Sequence, residues 1–123
     1  MRENILKDKS YNFALETIKV CRNLQFKNEF ILSRQLIRSA TSVGANIREA
    51  NNAQSKADFI HKLSISLKEC DEAQYWLELL KDSFYIENSE FDDLHSEAIQ
   101  IHRLLTRILI TSRTKSATVK KLK

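Results

Sequence analysis

The chain contains no proline and a single glycine, Gly44, in 123 residues. Average usage would give roughly six prolines and nine glycines. Because proline fixes φ and glycine supplies the positive φ of tight turns, hairpin-rich and sandwich folds are hard to build from this composition. Glycine-rich phosphate-binding loops are excluded outright. The sequence therefore predicts one all-α domain, long enough to bury a continuous core.

Hydrophobic residues make up 42% of the chain and charged residues 29%, which is typical of a globular protein. No apolar run approaches the roughly 20 residues of a transmembrane helix, and the start of the chain lacks the apolar stretch of a secretion signal. Cys21 and Cys70 lie inside apolar helical patterns, so we expect two reduced core thiols. The chain is accordingly predicted to be cytoplasmic, with no membrane partner.

The net charge of +4 is unevenly distributed along the sequence. Residues 111–123 hold five basic residues and no acidic one, whereas residues 1–110 carry a net charge of −1. We predict a bundle domain over residues 1–110 and a flexible basic tail over residues 111–123. Such a tail either binds a polyanion or is a solvated chain end, and composition does not separate these. Its basic residues are Arg113, Lys115, Lys120, Lys121 and Lys123.

Apolar residues at helical spacing predict four helices. The first begins near Asp8 or Ser10, either of which can cap a helix, and it is apolar on two faces. One face carries Tyr11, Ala14, Leu15, Ile18 and Cys21, and the second carries Phe13, Val20 and Leu24. One bundle core cannot bury both faces, which indicates a partner subunit.

The second predicted helix begins around Asn28 or Glu29 and ends about Ala53, with an apolar side and a polar side. The apolar side carries Leu32, Leu36, Ala40, Val43, Ile47 and Ala50. The polar side carries Arg34, Arg38, Thr41, Ala45, Arg48 and Asn52. A glycine inside a helix costs about 1 kcal/mol relative to alanine, so Gly44 is expected at a close helix contact.

Two serine-aspartate pairs resemble capping boxes and predict the starts of the third and fourth helices, Ser55 with Asp58 and Ser89 with Asp92. The third helix has the apolar series Phe59, Leu63, Leu67, Cys70, Leu77, Leu80 and Phe84. The fourth has Phe91, Leu94, Ala98, Ile101, Leu105 and Ile108. Long helices with short connections predict an antiparallel, up-down-up-down four-helix bundle.

A catalytic function finds little support in the sequence. Asp58 and Asp92 each precede a histidine by three residues, as in di-metal bundles, but both aspartates are explained by capping at helix starts. His102 lies beside an apolar seam, and Trp76 with Tyr75 is expected to pack against a neighbouring helix or subunit rather than stack on bases. We predict no catalytic residue, no metal and no cofactor. A metal-dependent enzyme stays a weaker alternative.

The second helix also carries a specific motif, SRQLIRSATSVGANIREA, over residues 33–50. Together with FAL at 13–15, SKADF at 55–59, LKECDE at 67–72 and YWLELL at 75–80, it resembles the bacterial four-helix bundle proteins encoded in intervening sequences of 23S ribosomal RNA genes, often labelled S23 ribosomal proteins. The resemblance covers about residues 10–110.

This resemblance implies an antiparallel bundle that assembles into a pentameric ring. The more distant accessory variability protein of diversity-generating retroelements is similar in fold, and it binds nucleic acid and a reverse transcriptase through basic surfaces. Carried over to this sequence, the candidate nucleic-acid-binding residues are Arg34, Arg38 and Arg48 in the matching stretch, together with the basic residues of the tail.

Two hypotheses follow for the function. The first is a non-enzymatic homo-oligomer, expected to be a pentamer, that binds RNA or DNA modestly and without sequence preference through phosphate contacts. The alternative is a protein-interaction scaffold, for example for a reverse transcriptase or another polymerase, without direct nucleic-acid contact. The doubly apolar first helix and the nearly neutral residues 1–110 favour the alternative.

Overall fold

The structure is a computed structural model that describes the backbone of residues 2–122 and the side chains of residues 5–114. Four helices follow one another along the chain, α1 (Arg2–Phe26), α2 (Ile31–Asn51), α3 (Lys56–Asp82) and α4 (Asn88–Leu122). Each packs beside its two neighbours in the order α1, α2, α3, α4 and back to α1, and within the described residues no Cα atoms of diagonal helices lie within 8 Å of each other. The predicted up-down-up-down four-helix bundle is confirmed.

The seams predicted for α2 and α4 form the core. On α2 the buried apolar residues are Leu36, Ala40, Val43, Ile47 and Ala50, and Leu32 packs against them at the rim. On α4 all six predicted residues are buried. Where a helix has one apolar stripe, its 3.6-residue period is therefore sufficient to identify the buried side.

Helix α1 departs from its prediction in both start and orientation. It begins at Arg2 rather than near Asp8 or Ser10, because Leu6 adds another buried turn to the helix. The buried side of α1 carries Leu6, Ser10, Phe13, Thr17, Cys21 and Leu24. Of the two predicted apolar faces, the one with Phe13 faces the core. Tyr11 and Leu15, from the other face, are exposed.

Caps decide the other helix starts. Ser55 accepts a hydrogen bond from the Asp58 amide at 3.1 Å, as predicted for α3. For α4 the predicted cap, Ser89, was wrong by two residues. The helix begins at Asn88, so Ser89 lies exposed inside its first turn, and the residue before the helix is Glu87, whose amide donates to Glu90 at 3.0 Å. The Glu90 carboxylate, at the third position of the helix, accepts from the Glu87 amide, which has no partner within the helix. Ser89 already lies inside the helix and cannot act as its cap.

The start of α2 was also placed too early, because the helix begins at Ile31. The buried carboxylate of Glu29 accepts hydrogen bonds from the amides of Leu32 at 3.1 Å and Ser33 at 2.7 Å. These are two of the amides that a helix start leaves without a partner. Glu29 therefore acts as the cap of α2 and is not available for other ligands.

Helices α1 and α3 both end in a Schellman motif with one residue in the left-handed conformation. In α1 the residue is Asn28, at φ 68°, and in α3 it is Phe84, at φ 65°. The amide after each one bonds the carbonyl five residues back, Glu29 to Leu24 and Tyr85 to Leu80, both at 2.9 Å. Asparagine tolerates this conformation, whereas phenylalanine is strained in it.

Phe84 was predicted in the α3 seam and is instead 92% exposed. The reason is that α3 ends at Asp82 and the chain reverses direction at Phe84.

At the other end of the chain, α4 continues as a helix through the predicted tail to Leu122, so residue 110 is not a helix end. Over the residues that the structure describes, no helix is long and apolar enough to cross a membrane.

Gly44 should tolerate alanine despite its place against α1. A Cβ built there would lie 3.5 Å from Ser10 Oγ and 3.7 Å from the Ser10 carbonyl carbon, which is ordinary van der Waals contact. Gly44→Ala is therefore expected to raise the free energy of unfolding by about 1 kcal/mol through helix propensity. Urea denaturation measures this free energy. The control substitution Ala45→Gly, at an exposed position of the same helix, should lower the free energy of unfolding by a similar amount. If Gly44→Ala is less stable than the wild type, then α1 and α2 approach each other more closely at this position than these distances indicate.

Phe84→Asn should stabilise the fold. Replacing a bulky residue in the left-handed conformation by one that tolerates it is expected to raise the free energy of unfolding by about 1 kcal/mol. Thermal and urea denaturation measure the change. The matched substitution Asn28→Phe, at the equivalent position of α1, should have the opposite sign, and equal signs at the two sites would contradict the strain at Phe84.

Candidate nucleic-acid interface

The three predicted arginines of α2 all lie on its exposed side. Arg34 Cζ lies 5.9 Å from the ring centre of Phe30, and Arg48 Cζ lies 5.7 Å from that of Tyr11. Stacking on an aromatic face orients a guanidinium while its N–H groups stay free to donate. Arg34 and Arg48 are therefore arranged in a way that permits hydrogen bonds to a phosphate.

Arg38 is instead bound within the bundle. Its Nη1 donates to Glu69 Oε2 at 3.1 Å, and its Nη2 donates to Glu72 Oε1, which also accepts from Nε1 of Trp76 at 3.2 Å. The hydrogen bond with Glu72 raises the pKa of Arg38. Burial raises the pKa of the Glu72 carboxyl, but the hydrogen bonds from Trp76 and Arg38 outweigh burial and leave that pKa lowered. Two carboxylates on one guanidinium make Arg38 a poor partner for phosphate.

The basic residues predicted for the tail begin at Arg113. Its Nη2 donates to Ser64 Oγ at 3.0 Å, which places Arg113 beside the first turns of α3. Lys115, Lys120, Lys121 and Lys123 have side chains outside the described residues, although the helical backbone runs to Leu122. The helix rises about 1.5 Å per residue, so the backbone of α4 continues for more than about 10 Å beyond Arg113, as far as Leu122.

Contacts between helices fix how the four segments are aligned. A Cβ on Gly44 of α2 would touch Ser10 of α1. Ser66 Oγ of α3 donates to the Val43 carbonyl at 2.8 Å, and Cys70 Sγ donates to the carbonyl of Ala98 in α4 at 3.3 Å. The bundle midpoint therefore falls near residues 13, 40, 68 and 98 of the four helices.

This alignment separates the charges along the bundle axis. The half made of residues 5–13, 41–68 and 99–114 contains nine basic and three acidic residues, and we call it the basic half and its outer end the basic end. The half made of residues 14–40 and 69–98 contains six basic and twelve acidic residues, and we call it the acidic half. The helical backbone of residues 111–122 continues from the basic half.

The predicted site residues are divided between the two halves. Arg48 and Arg113 lie in the basic half, whereas Arg34 and Arg38 lie in the acidic half. Summing charge along the sequence missed this separation, because residues 1–110 add up to nearly zero. Counting charge after folding the chain at its predicted connections would have found it. The basic residues that prediction omitted are Lys7, Lys9, Lys56, Lys62, Lys68, Arg103 and Arg107.

The aspartate-histidine pairs of the metal alternative are far apart. Asp58 and His61 open α3 at the basic end, whereas Asp92 and His95 open α4 at the opposite end. His95 stacks on Phe91 with ring centres 4.8 Å apart. Among residues 5–114, no three histidine, cysteine or acidic side chains are grouped as metal ligands would be.

The two cysteines are buried and unbridged, as predicted. Burial, together with the nearby charge of Glu29, raises the pKa of Cys21 to about 12. Burial also raises the pKa of Cys70 to about 12, against a hydrogen bond from Gln74 that lowers it. Because the thiolate is the reactive form, both cysteines are structural residues of the core.

The family model described as 23S rRNA-intervening sequence protein matches residues 2–107, nearly the whole bundle. The chain belongs to this family. A crystal structure of a protein of unknown function from the S23 ribosomal protein family of Bacteroides thetaiotaomicron VPI-5482 is 45% identical. Its match covers 89% of this chain and 98% of that one, with a TM-score of 0.86. A comparison with curated proteins finds no match.

Proposed function

We propose that this member of the family is a non-enzymatic homo-oligomer that binds RNA or DNA modestly and without sequence preference. The observation that carries the proposal is the separation of charge along the bundle. Nine basic residues against three acidic ones share the half from which the basic tail leaves. A surface of this kind attracts phosphate and gives affinity that falls steeply with salt.

Within that proposal the predicted residues contribute unequally. Arg48 and Arg113 lie in the basic half, and together with the tail residues Lys115, Lys120, Lys121 and Lys123 they are proposed to supply most phosphate contacts. Arg34 lies in the acidic half and contributes less. Arg38 contributes least, because Glu69 and Glu72 already compensate its charge.

Exposed aromatic and apolar side chains on two diagonal helices of the bundle support self-association. On α1, Tyr11 and Leu15 are exposed, and on the diagonal helix α3 Tyr75 is exposed beside a half-buried Trp76. A surface on one side that fits a different surface on the other side generates a ring when the rotation closes. We infer a ring, of five subunits by family likeness, which would repeat the basic end and raise its affinity for a polyanion.

The buried, unbridged cysteines also support a reducing compartment, and we place the protein in the cytoplasm.

A protein scaffold without nucleic-acid contact is the second candidate. It is favoured by the pairing of Arg38 with two glutamates and by the exposed aromatic residues, which are common at protein interfaces. A reverse transcriptase or other polymerase is the partner class to test by affinity capture, and a partner lost on nuclease treatment argues for nucleic-acid binding.

Gel-shift titrations at two salt concentrations test nucleic-acid binding. A chain ending at Ser112 should lose most of its affinity, and the slope of log affinity against log salt should fall by about 0.9 for each lost contact on duplex DNA. Arg48→Gln should weaken binding measurably, whereas Arg34→Gln should not. Circular dichroism checks that each variant stays helical. Equally negligible binding by the wild type and the truncated chain at low salt would refute the proposal.

Light scattering after size exclusion tests the ring. We expect a mass about five times the 14.3 kDa of one chain, as the family likeness implies. Leu15→Lys should reduce that mass by charging an apolar contact, whereas Asn12→Lys, on the side of α1 that faces α4, should not. A wild-type mass of one chain would rule out the ring and leave the nucleic-acid test unaffected.

A further inference from the structure

The end of the bundle opposite the tail carries an unusual set of exposed apolar side chains. The α1–α2 and α3–α4 connections both lie at this end, on opposite edges, because the helices alternate in direction. Phe26 is 93% exposed and Ile31 76% at the first connection. Phe84 is 92% exposed at the second, next to a half-exposed Tyr85. We call this surface the aromatic end.

The two edges of the aromatic end carry opposite charge. Around Phe26 the exposed charges are basic, from Arg22, Lys27 and Arg34, whereas the carboxylate of Glu29 is buried as the cap of α2. Around Phe84 they are acidic, from Asp82 and Glu87. Lys81, the basic residue nearest to them, lies with its Nζ 4.4 Å from the ring centre of Phe91.

Phe84 is also held in a backbone conformation that asparagine or glycine would adopt more easily. The equivalent position of α1 has Asn28, so the motif itself does not require an aromatic side chain. Strained residues of this kind tend to occur where function uses the side chain. The observation therefore indicates that the Phe84 ring contacts a partner.

We propose that the aromatic end binds the aromatic end of a second copy about a two-fold axis, with the first connection of each copy over the second connection of the other. Phe26 then enters the shallow depression lined by Lys81, Asp82, Phe84, Ile86, Glu87 and Asn88. Arg22 and Lys27 face Asp82 and Glu87, and symmetry makes every contact twice.

Charge complementarity selects this occupant and this orientation. If the first connections met each other, Arg22 and Lys27 would face their own copies, and like charges across an interface are repulsive. The crossed arrangement pairs opposite charges at the rim and places aromatic rings at the centre, as in ordinary protein interfaces. The association leaves the basic end free, so it is independent of nucleic-acid binding. It would double the number of subunits in a ring formed through the sides of the bundle.

Sedimentation velocity over a concentration series tests the pairing. We expect the wild-type mass to double with rising concentration. Lys27→Glu and Asp82→Lys should each weaken the doubling about tenfold, because each affects two symmetric contacts. The double variant should restore it to near the wild-type level, since the crossed charges are again complementary.

Phe84→Asn separates pairing from folding. It is expected to be at least as stable as the wild type yet to lose the doubling, whereas Ile110→Asn, exposed on α4 in the other half, should keep it. No doubling of the wild type up to about 1 mM chain, near the weakest specific affinities, would overturn the proposal and assign the aromatic end to a different partner. A double charge variant no better than the single ones would overturn the crossed arrangement.

Discussion

Short connections between long helices are the constraint on which the rest of this structure depends. Residues 27–30, 52–55 and 83–87 link helices of 21 to 35 residues, so consecutive helices must pack antiparallel. The antiparallel register then fixes which distant parts of the chain share an end. The basic half, the acidic half and the aromatic end all follow from that register rather than from any local motif.

Within this frame, many polar groups that looked available are already used by the fold. Glu29 caps α2, Glu90 satisfies the start of α4, and Arg38 is paired with Glu69 and Glu72. Among the charges that these contacts leave free are several at the two ends of the bundle, such as Lys27, Asp82 and Glu87. A binding surface made from ends suits a protein without phosphate-binding loops, since the helices need only present side chains there.

The two Schellman motifs show how a chain almost without glycine manages its turns. Asn28 adopts the left-handed conformation at little cost, while Phe84 adopts it with strain and full exposure. Gly44, the position where glycine is present, sits inside a helix, where Ser10 leaves room for a methyl group. Turn geometry and helix packing here are therefore set by hydrogen bonding and burial more than by glycine itself.

The sequence by itself determined the number of helices, the buried seams of α2 and α4 and the Ser55 cap, and it carried the family likeness. The helix count, the seams and the cap depend on periodicity and nearby hydrogen bonds, which are local. Only the tertiary structure decided that α1 buries Phe13 and exposes Leu15, that Arg38 is compensated, and that Arg48 and Arg113 belong to one basic end. A helix with two apolar faces does not specify which one is buried, and charges far apart in sequence combine only after the helices are aligned.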